Sequence, residues 1–287
     1  MDLTKKINIL STIASIAAMI SAIMGLFYTT GGATRVVENI YGQKIELYGD
    51  GIYANDEILK VGTTKGTDAV LFIFAISLII LTMLVRKYKL CEVLQTGILA
   101  GVLYDAICII MGVQFNRLYL VYLIWFAAAL YAFILAMIRL GKTNCFPKEV
   151  YDIELKGTAI FLIVGGCSVL VWFIFIIPAV ITGKPTDFIG IYTTEPTFCI
   201  DLGIILPGCV ATGIGLLKKQ KYAYPIASVL MTLITMVGIC VISQTIFQLS
   251  MGIVIEIGQI MGLVVTFVIL GGIAIWLNVR LLMRMRN

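Results

Sequence analysis

The sequence predicts an all-α polytopic membrane protein with eight transmembrane helices and both termini in the cytoplasm. Three observations support this fold class. The 287 residues are 60% hydrophobic and 13% charged, whereas about a quarter of the residues in a soluble domain are charged. Eight apolar stretches are long enough to cross a bilayer, which takes about 20 helical residues. Basic residues alternate between the two sides, which indicates an even number of crossings.

Each apolar stretch is expected to be helical, because lipid offers no hydrogen-bond partners to backbone N–H and C=O groups. The first stretch follows Lys5 and Lys6 and is long for the apolar part of a signal peptide, so we interpret it as an uncleaved signal anchor. The predicted spans are Ile7–Tyr28, Thr67–Val85, Cys91–Gly112, Leu118–Leu140, Gly157–Val180, Thr197–Leu217, Tyr222–Phe247 and Gly258–Leu282.

The charges of the loops predict the orientation. Fifteen Lys and Arg residues fall on the side of the termini and six on the other, and the basic excess marks the cytoplasmic face. The net charge of +5 is therefore an orientation signal and an attraction to anionic lipids, and no nucleic-acid partner is predicted. The Ile- and Lys-rich composition favours a plasma membrane. The fifteen are Lys5, Lys6, Arg86, Lys87, Lys89, Arg139, Lys142, Lys148, Lys156, Lys218, Lys219, Lys221, Arg280, Arg284 and Arg286.

The sizeable loop at 29–66 is predicted to lie outside as a small β-meander, here called the lid. Lys44–Tyr48 alternates polar and apolar residues, Gly49-Asp50-Gly51 is typical of a turn, and further short strands are expected at Ile52-Tyr53 and Ile58–Val61. About 38 residues cannot bury a core alone, so the apolar face of the lid should rest on the helix ends. The lid is a structural plug, a cap over an outward-facing cavity, or a surface for a partner.

The two halves of the chain, 1–156 with the lid and 157–287, have a similar layout. Each has a long outer loop after its first helix and a tight basic turn between its second and third. The turn Arg86-Lys87-Tyr88-Lys89 corresponds to Lys218-Lys219-Gln220-Lys221. Four helices per half predict a 4+4 parallel repeat about an axis along the membrane normal. Chance similarity is the alternative, because the matching segments are short.

Several kinds of chemistry are excluded by the residues that the chain lacks. It has no His, which removes His-ligated haem, His-containing zinc sites and Ser-His-Asp catalysis. None of the seven Cys forms a C-x-x-C pair, so a thiol redox motif or a Cys metal cluster is not supported. We therefore predict no metal and no cofactor.

Three aspartates within the predicted spans are the best functional indicators, because ionisable groups in a bilayer are costly and usually face protein or water. They are Asp68 in helix 2, Asp105 in helix 3 and Asp201 in helix 6. Asp105 follows Gly97 and Gly101 at intervals of four, and such a small-residue face packs against other helices. Helical spacing predicts that all three aspartates point inward, where they could converge.

A second candidate feature is Pro207, which lacks an N–H group and should leave the carbonyl of Gly203 free beside Asp201. A carboxylate next to a free carbonyl is a plausible oxygen site for a cation, and a purely structural bend is the alternative. Arg117 is the main structural alternative to an open acidic site, because it could neutralise one of the aspartates. Polar residues at the outer helix ends complete the predicted binding set; they are Gln114, Asn116, Arg117 and Gln244.

These residues favour a transporter or channel with an outward-facing, acid-lined cavity for a cation, a proton or a small solute. One alternative is a non-transporting protein that binds a lipid, a peptide or a partner complex. A second alternative is an intramembrane enzyme that modifies a lipid without His. Membrane lipids are the expected partners in every case, a small cation or solute is the expected ligand in the first, and the sequence names no partner protein.

Overall fold

The computed structural model describes residues 2–142, 146, 150–151, 153–186 and 189–284. Within them, eight helices are long and apolar enough to cross a membrane, as the sequence predicts. Cys145, Lys148, Glu149, Asp152 and Arg286 lie outside the described residues. The helices are α1 (Leu3–Phe27), α2 (Ile58–Leu84), α3 (Leu90–Gly112), α4 (Tyr119–Lys142), α5 (Lys156–Thr182), α6 (Pro196–Leu217), α7 (Ala223–Ser250) and α8 (Ile260–Met283).

Helix α2 begins nine residues before the predicted span, so the prediction of a strand at Ile58–Val61 is wrong. The extra turns are rich in threonine, and each hydroxyl has a partner within the helix. The Oγ1 atoms of Thr63, Thr64 and Thr67 donate to the carbonyls four residues earlier, at 3.1, 2.8 and 3.2 Å. These bonds satisfy the hydroxyls, and α7 holds the extra turns, because Gln244 and Gln248 donate to Oγ1 of Thr67 and Thr63 at 2.8 Å.

The lid is one hairpin followed by a buried turn, not the predicted meander. Strands β1 (Arg35–Glu38) and β2 (Lys44–Leu47) pair antiparallel; β2 matches the predicted strand, and β1 was not predicted. The segment Ile52-Tyr53 forms a turn because both side chains are buried against the helix ends. The Tyr53 hydroxyl donates to Oδ2 of Asp68 at 2.8 Å. The lid therefore rests on the bundle as expected, and we call that end of the bundle the lid end.

Helices α1 to α4 pack as a bundle, with α1 against α2 and α4, and α3 against α2 and α4. Helix α7 joins this bundle to the rest, because it packs against α2, α3, α6 and α8. On α3, a Cβ atom added to Gly97 would lie 2.6 Å from Cβ of Thr232, and Gly101 lies against Met236. The prediction that this small-residue face packs against another helix is confirmed.

The second half of the chain is packed more loosely. Helix α5 packs on α6, and α8 packs mainly on α7. Helix α1 lies along α4, whereas contact between α5 and α8 in the described residues is sparse. The parallel repeat, the division at residue 156 and the cytoplasmic location of the termini stay predictions.

Three helices lose regular α geometry in the middle or toward the lid end. Helix α5 has a 3₁₀ turn at Val169–Trp172, α6 has a π turn at Asp201–Ile205, and α8 has a π turn at Ile260–Val265. In α6 the interruption precedes Pro207, and the N–H of Leu206 donates to the carbonyl of Asp201. The irregularity expected at Pro207 thus takes the form of a π turn.

Candidate functional site

A cavity of about 330 Å³ lies toward the lid end, between α2, α3, α5, α6, α7 and α8. This volume is within the usual range for small-molecule sites. Most of the lining is apolar, but four acidic side chains and one Lys contribute to it. The charged lining residues are Glu57, Lys60, Asp105, Glu195 and Asp201, and the aromatic ones are Tyr104, Trp172, Tyr192, Phe198 and Phe267.

Asp201 stands at the first position of the π turn in α6, and both of its carboxylate oxygens have donors. The hydroxyl of Tyr104 on α3 donates to Oδ1 at 3.0 Å. The indole N–H of Trp172 on α5 donates to Oδ2 at 2.8 Å. Three helices therefore meet at one carboxylate, and charge-assisted hydrogen bonds of this kind are stronger than neutral ones. Asp201 fixes the cavity wall and also contributes negative charge.

Asp105 is the carboxylate on the membrane-spanning part of the lining that the protein leaves open. The residue is 7% exposed, and its carboxylate makes no hydrogen bond or ion pair with the described residues. An unpaired carboxylate removed from bulk water is costly. A ligand that carries positive charge or donates hydrogen bonds would offset this cost.

Asp68 does not join the other two aspartates, because its carboxylate is turned toward α1 and covered by the lid. Oδ2 accepts the hydrogen bond from Tyr53 and lies against Gly25 of α1. Oδ1 is buried and has no partner among the described residues. The inward orientation is confirmed for all three aspartates, but only Asp105 and Asp201 line the cavity.

Of the three further binding residues predicted on α6 and α7, one lines the cavity and two do not. Gly203 and Pro207 lie on the exposed side of α6 and are not part of the lining. The predicted oxygen site beside Asp201 is therefore not formed on the cavity wall. Gln244 does line the cavity, and its Nε2 donates to Oγ1 of Thr67 at 2.8 Å.

The predicted residues between α3 and α4 hold loops together at the lid end. The N–H of Gln114 donates to Oδ1 of Asp56 at 2.8 Å, and Oδ1 of Asn116 accepts the N–H of Leu118 at 2.9 Å. Arg117 is exposed, and none of the ion pairs within the described residues includes it. The alternative in which Arg117 neutralises an aspartate is not seen.

An ion pair that the sequence does not predict crosses the cavity mouth. Nζ of Lys60, in the first turn of α2, lies 2.9 Å from Oε2 of Glu195, the residue before α6. Nζ also lies 5.7 Å from the centre of the Tyr192 ring. Because Lys60 neutralises Glu195, the remaining acids of the lining, which are Glu57, Asp105 and Asp201, make the cavity favourable for a cation.

Asp56 connects the lid to two other loops. Its Oδ1 accepts hydrogen bonds from the N–H of Gln114 at 2.8 Å and from the hydroxyl of Tyr192 at 3.0 Å. Burial raises the pKa of the Asp56 carboxyl to about 6, and these donors and Lys60 oppose that shift only in part. Neighbouring Glu57 has its pKa raised by burial as well. This junction, here called the Asp56 latch, ties the lid to the loops that follow α3 and α5.

The Asp56 latch is expected to weaken as the pH rises. The folded pKa lies above the ordinary value, so ionisation disfavours the closed state progressively between about pH 4 and pH 6. Hydrogen exchange in residues 48–57, corrected for intrinsic rates, should therefore be slower near pH 5 than near pH 7.5. In Asp56→Asn this difference should shrink to the residual contribution of Glu57.

The matched control is Asp50→Asn in the same lid. Asp50 is only partly buried, and the N–H of Thr30 is the main cause of its lowered pKa. Because Asp50 is therefore ionised at both pH values, its replacement should leave the exchange difference unchanged. An undiminished pH dependence in Asp56→Asn would show that another group controls the latch.

No known protein family, curated protein or solved structure matches the chain. Within the described part of the chain, no group of three or more His, Cys, Asp or Glu could hold a metal ion. The eight apolar helices are compatible with a multi-pass membrane protein. The chemistry of the cavity is that of an open carboxylate surrounded by aromatic and apolar side chains.

Four residues important to this site were missed by sequence reasoning: Tyr104, Trp172, Lys60 and Glu195. Tyr104 precedes Asp105 in the chain, which is a weak signal. Trp172 lies in an apolar span where an indole is expected to find a partner for its N–H. No pattern in the sequence identifies Asp201 as that partner.

Proposed function

We propose that the protein is a multi-pass membrane transporter that binds a cationic solute in this cavity. The observation that carries the proposal is Asp105, a buried carboxylate on a cavity wall with no partner in the described part of the chain. Carboxylates in this position commonly mark a solute or ion pathway. With the basic loops in the cytoplasm of a plasma membrane, the cavity opens to the outside beneath the lid.

The arrangement around the cavity supports transport. The ion pair of Lys60 with Glu195 and the Asp56 latch cross the lid end, and their opening would admit a solute. The helices α5, α6 and α8 each have an irregular turn at or near the cavity. Broken helices near a binding site are a recurring feature of transporters.

The test is solute uptake by purified protein in liposomes. The probes are radiolabelled sodium, radiolabelled methylammonium and tetraethylammonium, and protons followed by an enclosed pH dye. We expect at least one probe to enter liposomes that contain the wild-type protein. Its uptake rate should fall by about tenfold or more in Asp105→Asn, because the variant loses one close charge interaction with the solute.

The control is Glu154→Gln, which removes a carboxylate from an exposed ion pair with Lys156 on the basic side. Its uptake should equal that of the wild type. Undiminished uptake in Asp105→Asn, or no uptake of any probe by correctly folded wild-type protein, would contradict the proposal.

A non-transporting binding protein is the second candidate function, and the lid hairpin favours it. At the turn of the hairpin Ile40 is 91% exposed and Tyr41 is 52% exposed, and apolar side chains at such a tip are typical of a contact surface. Co-purification of a partner in a fixed ratio, without any flux, would favour this function. The lipid-modifying enzyme has less support, since both oxygens of Asp201 are bound to Tyr104 and Trp172 and form no aspartyl dyad with Asp105.

A further inference from the structure

We infer that the ligand of the cavity is an organic ammonium with an apolar body, which reaches Asp105 through a side opening of the bundle. The inference rests on the proposed function, because it names the substrate class of the same cavity. The ammonium group lies against the Asp105 carboxylate. The apolar body lies among the aromatic side chains, toward the gap between α8 and the pair α5 and α6.

The acidic lining does not suit a divalent metal ion. Ca²⁺ takes six to eight oxygen ligands, and Mg²⁺ requires a near-octahedral set. Asp201 already accepts hydrogen bonds from Tyr104 and Trp172 at both oxygens, and Glu195 is paired with Lys60. Of the acids that point into the membrane-embedded part of the cavity, Asp105 alone keeps its oxygens for a ligand within the described residues. One carboxylate is sufficient for an ammonium group.

The aromatic side chains favour an organic cation. Tyr104 and Trp172 lie at Asp201, and the tilted ring of Phe198 packs against Trp172 with ring centres 5.3 Å apart. Phe267 lines the cavity from α8. Aromatic faces bind quaternary and alkyl ammonium groups by cation–π attraction, which strengthens where water is excluded. Methylene groups of the ligand would gain further from burial against such walls.

The wall of the cavity between α8 and the pair α5 and α6 is loosely packed. Trp172 and Phe198 line it from α5 and α6, and Phe267 lines it from α8, yet α8 packs mainly on α7. Farther from the lid end, the space between α5 and α8 narrows, since a Cβ atom added to Gly165 on α5 would lie 3.6 Å from Cδ2 of Leu270 on α8. Closer to the lid end, no described residue is buried in the two helix segments that border this space, which are Ile260–Val265 of α8 and Phe173–Thr182 of α5.

This side opening faces the position of the lipid chains, because its edges are apolar and exposed. Met261 on α8 and Ile174 on α5 are examples, and both are more than half exposed. An inorganic cation would not enter through this side opening, since charge is costly in hydrocarbon. An amphiphilic ammonium partitions into the membrane interface and can enter from the side with its chain in lipid.

The test uses the fluorescence of Trp172 in the full-length protein, embedded in lipid nanodiscs. The Trp276→Phe background removes the lipid-exposed indole and keeps Trp125, which is buried in the α1–α4 bundle. The probe is an octyl-trimethylammonium ion with bromine at the end of its chain, which quenches a tryptophan on contact. We expect saturable quenching, and loss of the saturable part when Trp172→Phe is added.

Neutralising the Asp105 carboxylate should weaken binding of the octyl probe. Asp105→Asn in the same background should raise the half-saturating concentration by about tenfold or more, which corresponds to about 1.4 kcal/mol. Glu154→Gln should leave it unchanged. The neutral bromo-octanol should give only non-saturable quenching, and tetramethylammonium without the chain should compete more than tenfold more weakly than the octyl ion.

The source of the ammonium group is distinguished by the lipid. Nanodiscs that contain phosphatidylethanolamine should weaken probe binding if a membrane aminolipid is the ligand, and should leave it unchanged if the ligand is a free amphiphilic amine. Either result is consistent with the inference.

Two outcomes would overturn the inference: equal competition by tetramethylammonium and the octyl ion, or competition by sodium at similar concentration. In both cases the proposed transport function would survive if uptake in liposomes still depended on Asp105. Failure of the ligand class is thereby separated from failure of the function.

Discussion

Replacing Gly66 with valine is expected to abolish the packing of α2 on α7 and to leave little folded protein. A Cβ atom at Gly66 would lie 2.5 Å from the backbone N of Gln244 and closer still to its Cα. These are backbone atoms, which cannot turn aside as a side chain can, so one of the two helices has to move. Overpacking of a core costs about 1–3 kcal/mol or more, and this contact also positions Gln244 and Gln248 for their hydrogen bonds to threonines of α2.

The measurement is size-exclusion chromatography of the detergent-solubilised protein, followed by thermal unfolding. The matched control is Gly272→Val in α8, a helical glycine with no heavy atom within 4 Å of an added Cβ. It should elute as the wild type does, because only helix propensity changes. A monodisperse Gly66→Val protein with an unchanged unfolding temperature would show that the α2–α7 contact is not as close as described.

The second large effect is expected at the ion pair across the cavity mouth. Side-chain exposures are 19% for Lys60 and 11% for Glu195. Lys60→Met would leave the Glu195 carboxylate mostly buried without its cation, and breaking a buried pair from one side costs about 3–5 kcal/mol. We expect a lower unfolding temperature and a mouth that opens more readily. Lys60→Met combined with Glu195→Gln should recover most of the loss, because no unpaired charge remains.

The control for the ion pair is Lys156→Met. Lys156 pairs with Glu154, and the two side chains are 72% and 57% exposed. Exposed pairs contribute about 0–1 kcal/mol, so this substitution should have little effect. A Lys60→Met protein as stable as Lys156→Met would mean that water reaches Glu195 freely.

The eight helices could be predicted because mean hydropathy and length alone identify them. Their ends at the lid were less predictable. Helix α2 continues through a threonine-rich segment whose composition is typical of a loop, because α7 packs against it and donates hydrogen bonds to Thr63 and Thr67. The strand expected at Ile52-Tyr53 fails for a related reason. Burial of Tyr53 over Asp68 is a tertiary contact that alternation of residues does not reveal.

Helical spacing was sufficient to predict which faces point inward, including those of Asp105 and Asp201. It could not predict which inward faces share a cavity. Asp68 is on the correct side of α2, but Tyr53 and Gly25 enclose it at α1. The donors to Asp201 come from residues 97 and 29 positions earlier in the chain. Such pairings depend on the packing of helices, which a single sequence does not encode in any local pattern.

The interrupted turns of α5, α6 and α8 have a mechanical consequence. A regular helix resists bending because each turn is tied to the next by i→i+4 bonds, and that stiffness falls where the ladder changes to 3₁₀ or π pairing. We therefore expect α5 and α6 to bend more easily at Val169–Trp172 and Asp201–Ile205, and α8 at its lid end, than the uninterrupted helices α1 to α4. Asp201 lies at one of these weakened positions, at the first residue of the π turn in α6.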